Sequence, residues 1–395
     1  MAPVALILVL VAAWHGYLWL RLVHGTALSP RWRTRGTAAL VFLALLAALS
    51  IFRPRWFGGT ARELILPIGF AWLGFGFLLA CALAVTELVR ALRWARARAS
   101  ATRRPSAHDP ARREALARTL GGVAAVTAGT AALAGATQAL ALTLQRVEVP
   151  LRRLPASLSG VRIVQISDLH FGIAVGPEYL ARVIAEVNAL QPDLIAITGD
   201  LVDGSVERLA PSIAKLRELR ARWGVYFVTG NHEYYSGAVE WVAHLETLGL
   251  RVLRNERVEV GGPEGSFDLA GVDDWGAASS GTGHGHGHDL GRALAGRDPT
   301  REVVLLAHQP VSVLEASRHG VGLQLSGHTH GGQIFPLKFL MYLDQPFVDG
   351  LHRLADTYIY VSRGTGYWGP PMRVGAAAEI TEITLVAAPG AARAG

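Results

Sequence analysis

Four long apolar segments constrain the fold of this chain more than any other feature of its sequence. They cover residues 4–20, 38–52, 64–85 and 120–144, and each is near the ~20 residues that a helix needs to cross a bilayer. Hydrophobic residues make up 51% of the 395 residues, which is a high share for a soluble protein. We therefore predict an all-α transmembrane region of about four helices over residues 1–146. The fourth segment is rich in Ala, Gly and Thr and only weakly apolar, so a buried soluble helix and a cleaved export signal are alternatives there.

Charge is divided unevenly along the chain and predicts its topology. Residues 1–146 contain 17 Lys and Arg against 4 Asp and Glu, whereas residues 147–395 contain 21 against 27, so the net charge of +7 divides into +13 and −6. The loop between the third and fourth segments holds most of the arginines, which mark the cytoplasmic side. The domain after residue 144 is then predicted to be extracytoplasmic. The pair Arg112 and Arg113 is similar to a twin-arginine export signal, which has the same polarity. The second domain is mildly acidic, which argues against a nucleic-acid partner.

From residue 161 onward the pattern changes to short apolar runs separated by helical stretches. Such runs are typical of strands buried on both faces, and three amphipathic stretches supply helices that cover them. The eight runs are residues 161–170, 193–200, 224–233, 267–275, 302–310, 322–330, 357–366 and 378–386, and the helical stretches are 178–191, 206–223 and 238–249. We predict an α/β domain over residues 147–388, with two packed sheets and flanking helices, followed by a tail over 389–395.

Polar groups able to bind metal follow most of the first six runs at their C-terminal ends. In open α/β sheets this edge is where binding sites are built. Within the motifs at 168–170 and 328–330 the two candidate ligands are two residues apart, so in an extended chain they point to the same side. The full set offers seven oxygen and nitrogen ligands: Asp168, His170, Asp200, Asn231, His308, His328 and His330. Seven ligands are too many for one tetrahedral ion and suit two ions that share a carboxylate.

The types of ligand indicate the metal and the chemistry. Imidazole and carboxylate without thiolate favour Mn, Fe, Zn or Co over Mg or Ca. Two such ions ~3.5–4 Å apart can hold a hydroxide between them and clamp the oxygens of a phosphate, which is the arrangement of phosphate-ester hydrolysis. The glycines at 327, 331 and 332 allow the backbone to turn tightly and to approach a ligand closely. The sequence therefore predicts two divalent metal ions as cofactor and a substrate that contains phosphate.

Five motifs in order resemble the signature blocks of the calcineurin-like metallophosphoesterase superfamily. They are DLH, GDLVDG, GNHE, AHQP and GHTHGGQ. The sequences GHTHGGQIFP and YIYVSRGTGYWGPPMRVGAAAEITEITL are similar, more narrowly, to its bacterial membrane-associated phosphodiesterase branch, which includes a UDP-2,3-diacylglucosamine pyrophosphatase-like enzyme. The resemblance covers roughly residues 150–388, and it implies the two-sheet sandwich of the metallophosphoesterase fold.

The resemblance also implies a role for each motif residue. One ion would be held by Asp168, His170, Asp200 and His330, and the second by Asp200, Asn231, His308 and His328, so that Asp200 bridges the two. His232 would contact the phosphate and act as general acid toward the leaving oxygen, while a hydroxide attacks in line. The motif AHQP departs from the HNP that is common in this branch, and we expect an effect on contacts around the ligands at most.

Six charged residues near the motifs admit two interpretations. The four acidic residues either take part in the site or only cap turns, and the sequence favours neither interpretation. The two arginines lie in Gly/Pro-rich loops and could bind a phosphate. They are Asp203, Glu233, Asp273 and Asp274, with Arg363 and Arg373.

Two further segments stand out near the site. In residues 281–290 three histidines, His284, His286 and His288, alternate with glycines, so a flexible solvent loop is favoured over a metal site. Residues 334–347 are apolar directly after the last candidate ligands. They form either a loop that covers the core or a wall that meets a bilayer or the acyl chain of a lipid.

Together these features predict a membrane-anchored dinuclear phosphoesterase of the bacterial plasma membrane. It would hydrolyse a phosphodiester, a pyrophosphate or a phosphomonoester in a lipid-linked or small-molecule substrate of the cell envelope. A nucleotide phosphodiesterase is one alternative, and a metal-binding sensory module without turnover is another, although intact Asp200 and His232 count against the latter. Transport through the spans has little support, since His15 is their main ionisable candidate. The oligomeric state and the metal identity stay open.

Overall fold

The computed structural model describes residues 2–26, 28–52, 59–99, 110–172, 175–282 and 285–388. The chain forms two compact units, one of Met1–Thr137 with Gly369–Met372 and one of Gln138–Trp368 with Arg373–Gly395. The predicted tail over 389–395, the residue His284 and part of the arginine-rich loop lie outside the described residues.

The first unit consists of helices. They are α1 (Ala2–Trp19), α2 (Pro30–Phe52), α3 (Gly59–Ala99) and α4 (Pro110–Gln138), and α1 continues into a π-helical turn over Leu20–His24. Each of the four is long and apolar enough to cross a membrane, which confirms the predicted region of about four apolar helices. The fourth helix ends at Gln138 and not near residue 144, because the alternating sequence from Thr143 onward forms a strand.

Two ionisable side chains within the helical unit, His15 and Arg21, have partners there. His15 lies between α1 and α3, where its Nδ1 donates to the carbonyl of Val11 at 2.8 Å and its Nε2 accepts from Trp72 at 3.0 Å. Arg21 forms an ion pair with Glu87. These contacts pair His15 and Arg21 with neighbouring helix residues, so neither side chain gives support to a transport pathway.

The second unit contains two six-stranded sheets. The strands are β1 (Thr143–Leu151), β2 (Arg162–Ile166), β3 (Leu194–Ile197), β4 (Val225–Phe227), β5 (Arg251–Val252), β6 (Glu256–Gly262), β7 (Gly265–Gly271), β8 (Val303–Leu306), β9 (Leu323–Ser326), β10 (Gly350–Leu354), β11 (Thr357–Val361) and β12 (Glu379–Ala387). The first sheet has the order β1-β12-β2-β3-β4-β5 and the second β10-β11-β9-β8-β7-β6. The pairs β2/β3/β4 and β7/β8/β9 are parallel, so their C-terminal ends lie at one edge of each sheet.

Helices and turns connect these strands. They are α5 (Pro177–Ala189), α6 (Val206–Ile213), α7 (Asn231–Ser236), α8 (Ala238–Thr247), α9 (Leu290–Ala293), α10 (Val313–Ala316) and α11 (Lys338–Met341). The stretch predicted as one helix over 206–223 leaves the α-helical form after Ile213 and continues as a 3-10 turn to Glu218. Pro211 lies inside α6, and proline removes a backbone donor and disfavours a longer helix.

Alternation along the central strands builds the core. Successive side chains of a strand point to opposite faces, so Ile163 packs between the sheets with Leu269 and Leu306. Its neighbour Val164 packs on the other side, against the helices of the first sheet. The strands are therefore buried on both faces, and the predicted two-sheet α/β architecture with flanking helices is confirmed.

The strands that the sequence did not predict are the four at the sheet edges. β1, β5, β6 and β10 lie at the ends of the two strand orders, and three of them alternate exposed or half-exposed positions. Because the prediction relied on near-continuous apolar runs, it detected the eight interior strands, which are buried on both faces, and missed the edges.

Candidate active site

The seven predicted ligands follow five strands that end at the same edge of the two sheets. Two come after β2 and one each after β3 and β4, all in the first sheet, and the others follow β8 and β9 in the second sheet. The site is therefore assembled from both sheets.

The backbone conformation of these residues differs from the extended chain assumed from the sequence. Asp168, His170, Asp200, His328 and His330 have φ angles of 53°, 50°, 51°, 73° and 52°. A non-glycine residue with positive φ is uncommon and costs of order 1–3 kcal/mol, and such residues cluster at functional sites. The paired ligands thus reach the site through left-handed turns after the strands. The extended conformation that the sequence analysis assumed for them was wrong.

One group of side chains gathers around Asp168. The Nε2 of His330 lies 3.5 Å from Asp168 Oδ1 and 3.0 Å from the Nε2 of His170. One possible ligand atom from each of these three residues lies within 4.8 Å of the other two. Both oxygens of Asp168 also accept from the backbone N–H of His328, at 3.0 and 3.1 Å. A side chain at Gly327 would collide with Ser167 and Asp168, so the loop after β9 can approach Asp168 this closely only with glycine there.

A second group gathers around Asp200. His308 Nε2 lies 3.2 Å from Asp200 Oδ2 and 3.2 Å from His328 Nδ1. The other ring nitrogen of His308 donates to the carbonyl of Thr198 at 2.8 Å. That bond places a proton at Nδ1 and leaves Nε2, which lies beside Asp200, as the nitrogen that can coordinate a metal ion. His170 Nε2 lies 3.9 Å from the same Oδ2, so Asp200 stands between the two groups.

The donors of the two groups suit a pair of divalent ions. Carboxylates and imidazoles dominate, and thiolate is absent among the gathered side chains. Asn231 adds an amide whose buried Oδ1 accepts no hydrogen bond from any described group. A buried carbonyl oxygen without a partner is costly, and a metal ion beside it would remove that cost. The residues present therefore fit the expected cofactor.

His232 is held beside the two groups by Asp203. Its Nδ1 donates to Asp203 Oδ1, its Nε2 lies 4.0 Å from Asp200 Oδ2, and its backbone N–H donates to Asp200 Oδ1 at 2.8 Å. Burial lowers the pKa of His232, but the charge of Asp200 and the hydrogen bond that His232 donates to Asp203 outweigh it and raise the pKa to about 9. The two carboxylates therefore favour the protonated form of His232, whose Nε2 lies on the side of Asp200.

Asp203 is a residue whose role the sequence left undecided. Besides its bond to His232, its Oδ2 lies 3.5 Å from His170 Nδ1. Burial raises the pKa of Asp203, but His170 and His232 lower it more, so it stays ionised. The signal in the sequence was the second Asp of GDLVDG, three residues after Asp200, but turn capping explained it equally well.

Glu233 also has a defined role. It is fully buried, and its carboxylate accepts from the backbone N–H of Asp200 at 2.9 Å, Leu201 at 2.8 Å and Gly230 at 2.7 Å. Burial and the neighbouring Asp200 raise the pKa of Glu233, to about 8, and these N–H donors oppose the shift. Glu233 caps the start of α7, as the capping interpretation held, and the same bonds fix the backbone that carries Asp200.

The remaining acidic candidates hold neighbouring loops. Asp273 forms a two-point ion pair with Arg254 at 2.9 and 2.8 Å. Asp274 accepts from the amide of Gln309 at 3.0 Å. Gln309 is the residue at which AHQP departs from the family pattern, so this departure falls on a side chain that contacts an outer acidic residue.

Both arginines have partners within the domain. Arg363 is paired with Glu379. Arg373 is fully buried, donates to the carbonyls of Gly366 and Ala376, and has its Nη2 3.1 Å from His330 Nδ1. Both arginines hold the loops that carry the site.

The two described histidines of the tract, His286 and His288, contact neighbouring side chains. Arg254 Nη2 donates to His286 Nδ1 at 2.9 Å, and His288 Nε2 lies 3.0 Å from Glu315 Oε2. Among the described residues, neither histidine belongs to a group that could hold a metal ion. Their polar contacts within the described residues are thus with Arg254 and Glu315 and not with the candidate metal ligands.

Comparison with known proteins places this site in a family. A sequence profile described as calcineurin-like phosphoesterase matches residues 161–332, which include all seven candidate ligands. A protein of Aquifex aeolicus described as an uncharacterized metallophosphoesterase is 35% identical over 231 residues, which are 57% of this chain and 85% of that protein. The chain belongs to the calcineurin-like metallophosphoesterase family.

Two animal proteins are also similar to this metallophosphoesterase. Both are described as a transmembrane protein with metallophosphoesterase domain. The one from Danio rerio is 43% identical over 242 residues, 59% of this chain and 54% of that protein, and the one from Bos taurus is 45% identical over 249 residues, 60% and 55%. The chain thus spans about half the length of these two relatives.

Proposed function

We propose that this chain is a membrane-anchored, dinuclear metal-dependent phosphoesterase that hydrolyses a phosphodiester, a pyrophosphate or a phosphomonoester. The observation that carries the proposal is the placement of Asp200 between two groups of ligand atoms, with the imidazolium of His232 beside it. A shared carboxylate and an adjacent acid are what a phosphoester hydrolase needs to hold two cations and to protonate a leaving oxygen.

The proposed ligand sets follow the two groups. One ion is assigned to Asp168, His170, Asp200 and His330, and the other to Asp200, Asn231, His308 and His328. When bound, divalent ions such as Mn, Fe, Zn or Co supply Lewis acidity toward the phosphate oxygens and activate water at neutral pH.

The chain's own residues provide acid catalysis and orientation. His232 is proposed to donate its Nε2 proton to the leaving oxygen of the substrate. Asp203 keeps the other proton of the ring at Nδ1, so Nε2 is the nitrogen that faces the substrate. Glu233 holds the backbone of Asp200 and of Gly230, which precedes Asn231, so the ligands stay in place when the substrate binds. Fixed geometry of this kind avoids reorganisation during the reaction.

We further propose a lipid or cell-envelope metabolite as the substrate and an extracytoplasmic position in the bacterial plasma membrane. Four helices suited to crossing a membrane support the anchor, and the arginine-rich loop before α4 supports the orientation. The similarity of GHTHGGQIFP to the UDP-2,3-diacylglucosamine pyrophosphatase-like branch supports a lipid-linked phosphate. The net charge of −6 over residues 147–395 disfavours nucleic acid.

The experiment that tests the activity is hydrolysis of bis(p-nitrophenyl) phosphate and of p-nitrophenyl phosphate by the detergent-solubilised full chain with Mn. Native protein is compared with Asp200→Asn and His232→Ala. Turnover by the native chain and its loss in both variants supports the proposal. Binding of two equivalents of metal with no difference between any variant and a blank would replace it with the sensory module. Phosphate release from lipid and nucleotide panels separates the remaining alternative, a nucleotide phosphodiesterase.

The proposed orientation has its own test. Reporters active on only one side of the membrane are fused after Gly395 in cells. Activity of the periplasmic reporter supports an extracytoplasmic domain, whereas activity of the cytoplasmic reporter alone overturns it.

A further inference from the structure

A row of large apolar side chains is exposed next to the active site. Within residues 335–343, Phe335 is 57% exposed, Phe339 63%, Leu340 55%, Tyr342 47% and Leu343 85%. We call these five residues the apolar crest. Single exposed apolar residues are ordinary on protein surfaces, but five within nine positions of the chain form a patch that calls for a partner.

The crest is fixed at both ends and is not a cover for the core. Ile334 before it is 2% exposed and Val348 after it is 0% exposed. Gln345 is also buried and accepts from the backbone N–H of Val311 at 2.9 Å, while Phe347 packs on the cluster of Val313, Ile359 and Val361. The buried flanks therefore hold the segment, and the side chains between them face outward.

The crest is built directly on the loop that carries the last two candidate ligands. Gly332 has a φ of +80°, and a side chain there would collide with the backbone of Lys338, so α11 packs against the turn after His330. Phe335 donates its backbone N–H to the carbonyl of Val374 at 2.8 Å. Any surface that the crest contacts is thus held near the proposed metal centre.

Two more exposed aromatic residues lie beside the proposed acid, His232. Gln333 in the ligand loop exchanges two hydrogen bonds with the backbone of Trp368, at 2.9 and 3.1 Å. The ring of Trp368, 42% exposed, lies 5.6 Å from the ring of His232, and that of Tyr235, 75% exposed, lies 5.2 Å from it. Trp and Tyr combine an apolar ring with a polar tip and favour the boundary between lipid and water.

The composition of the crest matches a bilayer. In the sequence of residues 335–343, FPLKFLMYL, the one charged residue is Lys338, and it is paired with Asp349. Aromatic and leucine side chains therefore dominate these nine positions. The first acidic residue after them is the exposed Asp344, which accepts from the amide of Gln345 at 2.8 Å. A membrane helix also adjoins this domain in the sequence. Only residues 139–142 separate α4, which is suited to crossing a membrane, from β1 of the phosphoesterase domain.

We propose that the apolar crest inserts into the interfacial layer of the bilayer in which the chain is anchored, and that it presents the active site to phosphate esters of membrane lipids. The insertion stands on the exposed side chains alone, whereas the choice of substrate rests on the phosphoesterase activity proposed above. A site held at the surface meets lipid-borne phosphate at a high effective concentration.

Insertion is tested with single-cysteine variants of the full chain in vesicles of phosphatidylcholine and phosphatidylglycerol. Cys81, the one cysteine of the sequence, is replaced by Ala, and a polarity-sensitive fluorophore is attached at Leu343→Cys. The matched control is Leu314→Cys, a leucine of α10 that is 45% exposed. We expect a blue-shifted emission and quenching by spin-labelled phosphatidylcholine at the crest and neither at the control. Equal, unquenched emission from both positions would overturn the insertion.

Substrate presentation is tested with two chromogenic diesters that share one leaving group. Phosphatidyl-p-nitrophenol resides in the vesicle, whereas bis(p-nitrophenyl) phosphate is soluble. The variant Phe339→Ser with Leu343→Ser is compared with the control Val239→Ser with Leu314→Ser, all at exposed positions outside the proposed catalytic residues. We expect the crest variant to lose at least ~10-fold in lipid turnover, about the factor contributed by burying one large apolar side chain, with soluble turnover unchanged.

The outcomes distinguish this inference from the proposed activity. Equal loss on both diesters, or no loss on either, would overturn the lipid presentation while leaving the phosphoesterase in place. Absence of hydrolysis by the native chain on both diesters and on p-nitrophenyl phosphate, with the crest still quenched, would remove the proposed activity and the substrate class, and would retain the insertion.

Discussion

Replacement of Asp203 by Asn is the most informative single change, because it removes a charge while nearly preserving shape. Asp203 accepts from Nδ1 of His232 and lies 3.5 Å from Nδ1 of His170. The carboxamide oxygen of Asn can still accept the hydrogen bond, so His232 keeps its orientation. What is lost is the negative charge that favours the imidazolium.

The expected magnitude follows from the charge that the acceptor loses. A hydrogen bond to a charged group contributes about 1.5–3 kcal/mol and one to a neutral group about 0.5–1.5 kcal/mol, and one pKa unit corresponds to about 1.4 kcal/mol. The variant should therefore lower the pKa of His232 by about one unit from its value of about 9. Because the pKa is raised in the folded protein, the proton is present below that value and lost as the pH rises through it. The acid then deprotonates at lower pH, and we expect kcat at alkaline pH to fall ~10-fold.

The assay is the pH profile of kcat for bis(p-nitrophenyl) phosphate, together with the metal content of each protein. The alkaline limb should move to lower pH in Asp203→Asn, with the metal content unchanged. Asp356→Asn is the matched control, since Asp356 is exposed and pairs with Arg152 and Arg353 at the surface. An unmoved alkaline limb, or a loss of metal that accounts for the loss of rate, would refute the role assigned to Asp203.

Three further predictions concern the metal centre and the core. Asp200→Asn should reduce the bound metal from two equivalents to at most one and lower kcat by more than the ~100-fold typical of an outer-shell change; elemental analysis showing two full equivalents would contradict this. Chelation with EDTA should abolish hydrolysis and lower the free energy of unfolding by ~2.7 kcal/mol for each ion that is normally present at 100 times its Kd. The midpoint of thermal unfolding should fall accordingly, and Mn should restore both properties; a chelated protein with full activity would oppose the metal assignment. Trp241 is fully buried and donates to the carbonyl of Gly204 at 2.8 Å, so Trp241→Ala should lower the free energy of unfolding by ~3–5 kcal/mol, whereas Val239→Ala, at a site 52% exposed, should change it by no more than ~0.5 kcal/mol. Equal denaturation midpoints for these two variants would show that the core around α8 is not as described.

The residues that mark the site could be identified from the sequence because each follows an apolar run. Asp168 after β2 and His308 after β8 stand out as polar groups at the ends of buried strands, and parallel strands bring such ends to one edge. The conformation at that edge could not be predicted. The ligands reach each other through positive φ angles, at Asp168 and Asp200 for example, and such strain is sustained only by the packing around it.

Residues with two plausible roles show the same limit. Asp203 and Glu233 lie in motif blocks, but only their contacts with His232 and with the backbone of Asp200 separate a positioning role from a turn cap. The crest is a similar case, since an apolar sequence over residues 334–347 suits a buried loop and an exposed one equally.

The sequence by itself determined the four apolar helices, the eight interior strands and the chemical types of the candidate ligands. These depend on local composition and on periodicity, which a single chain displays directly. The tertiary structure decided the four edge strands, the pairing of His232 with Asp203 and the exposure of Leu343. Those features depend on which residues from distant parts of the sequence become neighbours. Local composition and periodicity do not record such contacts.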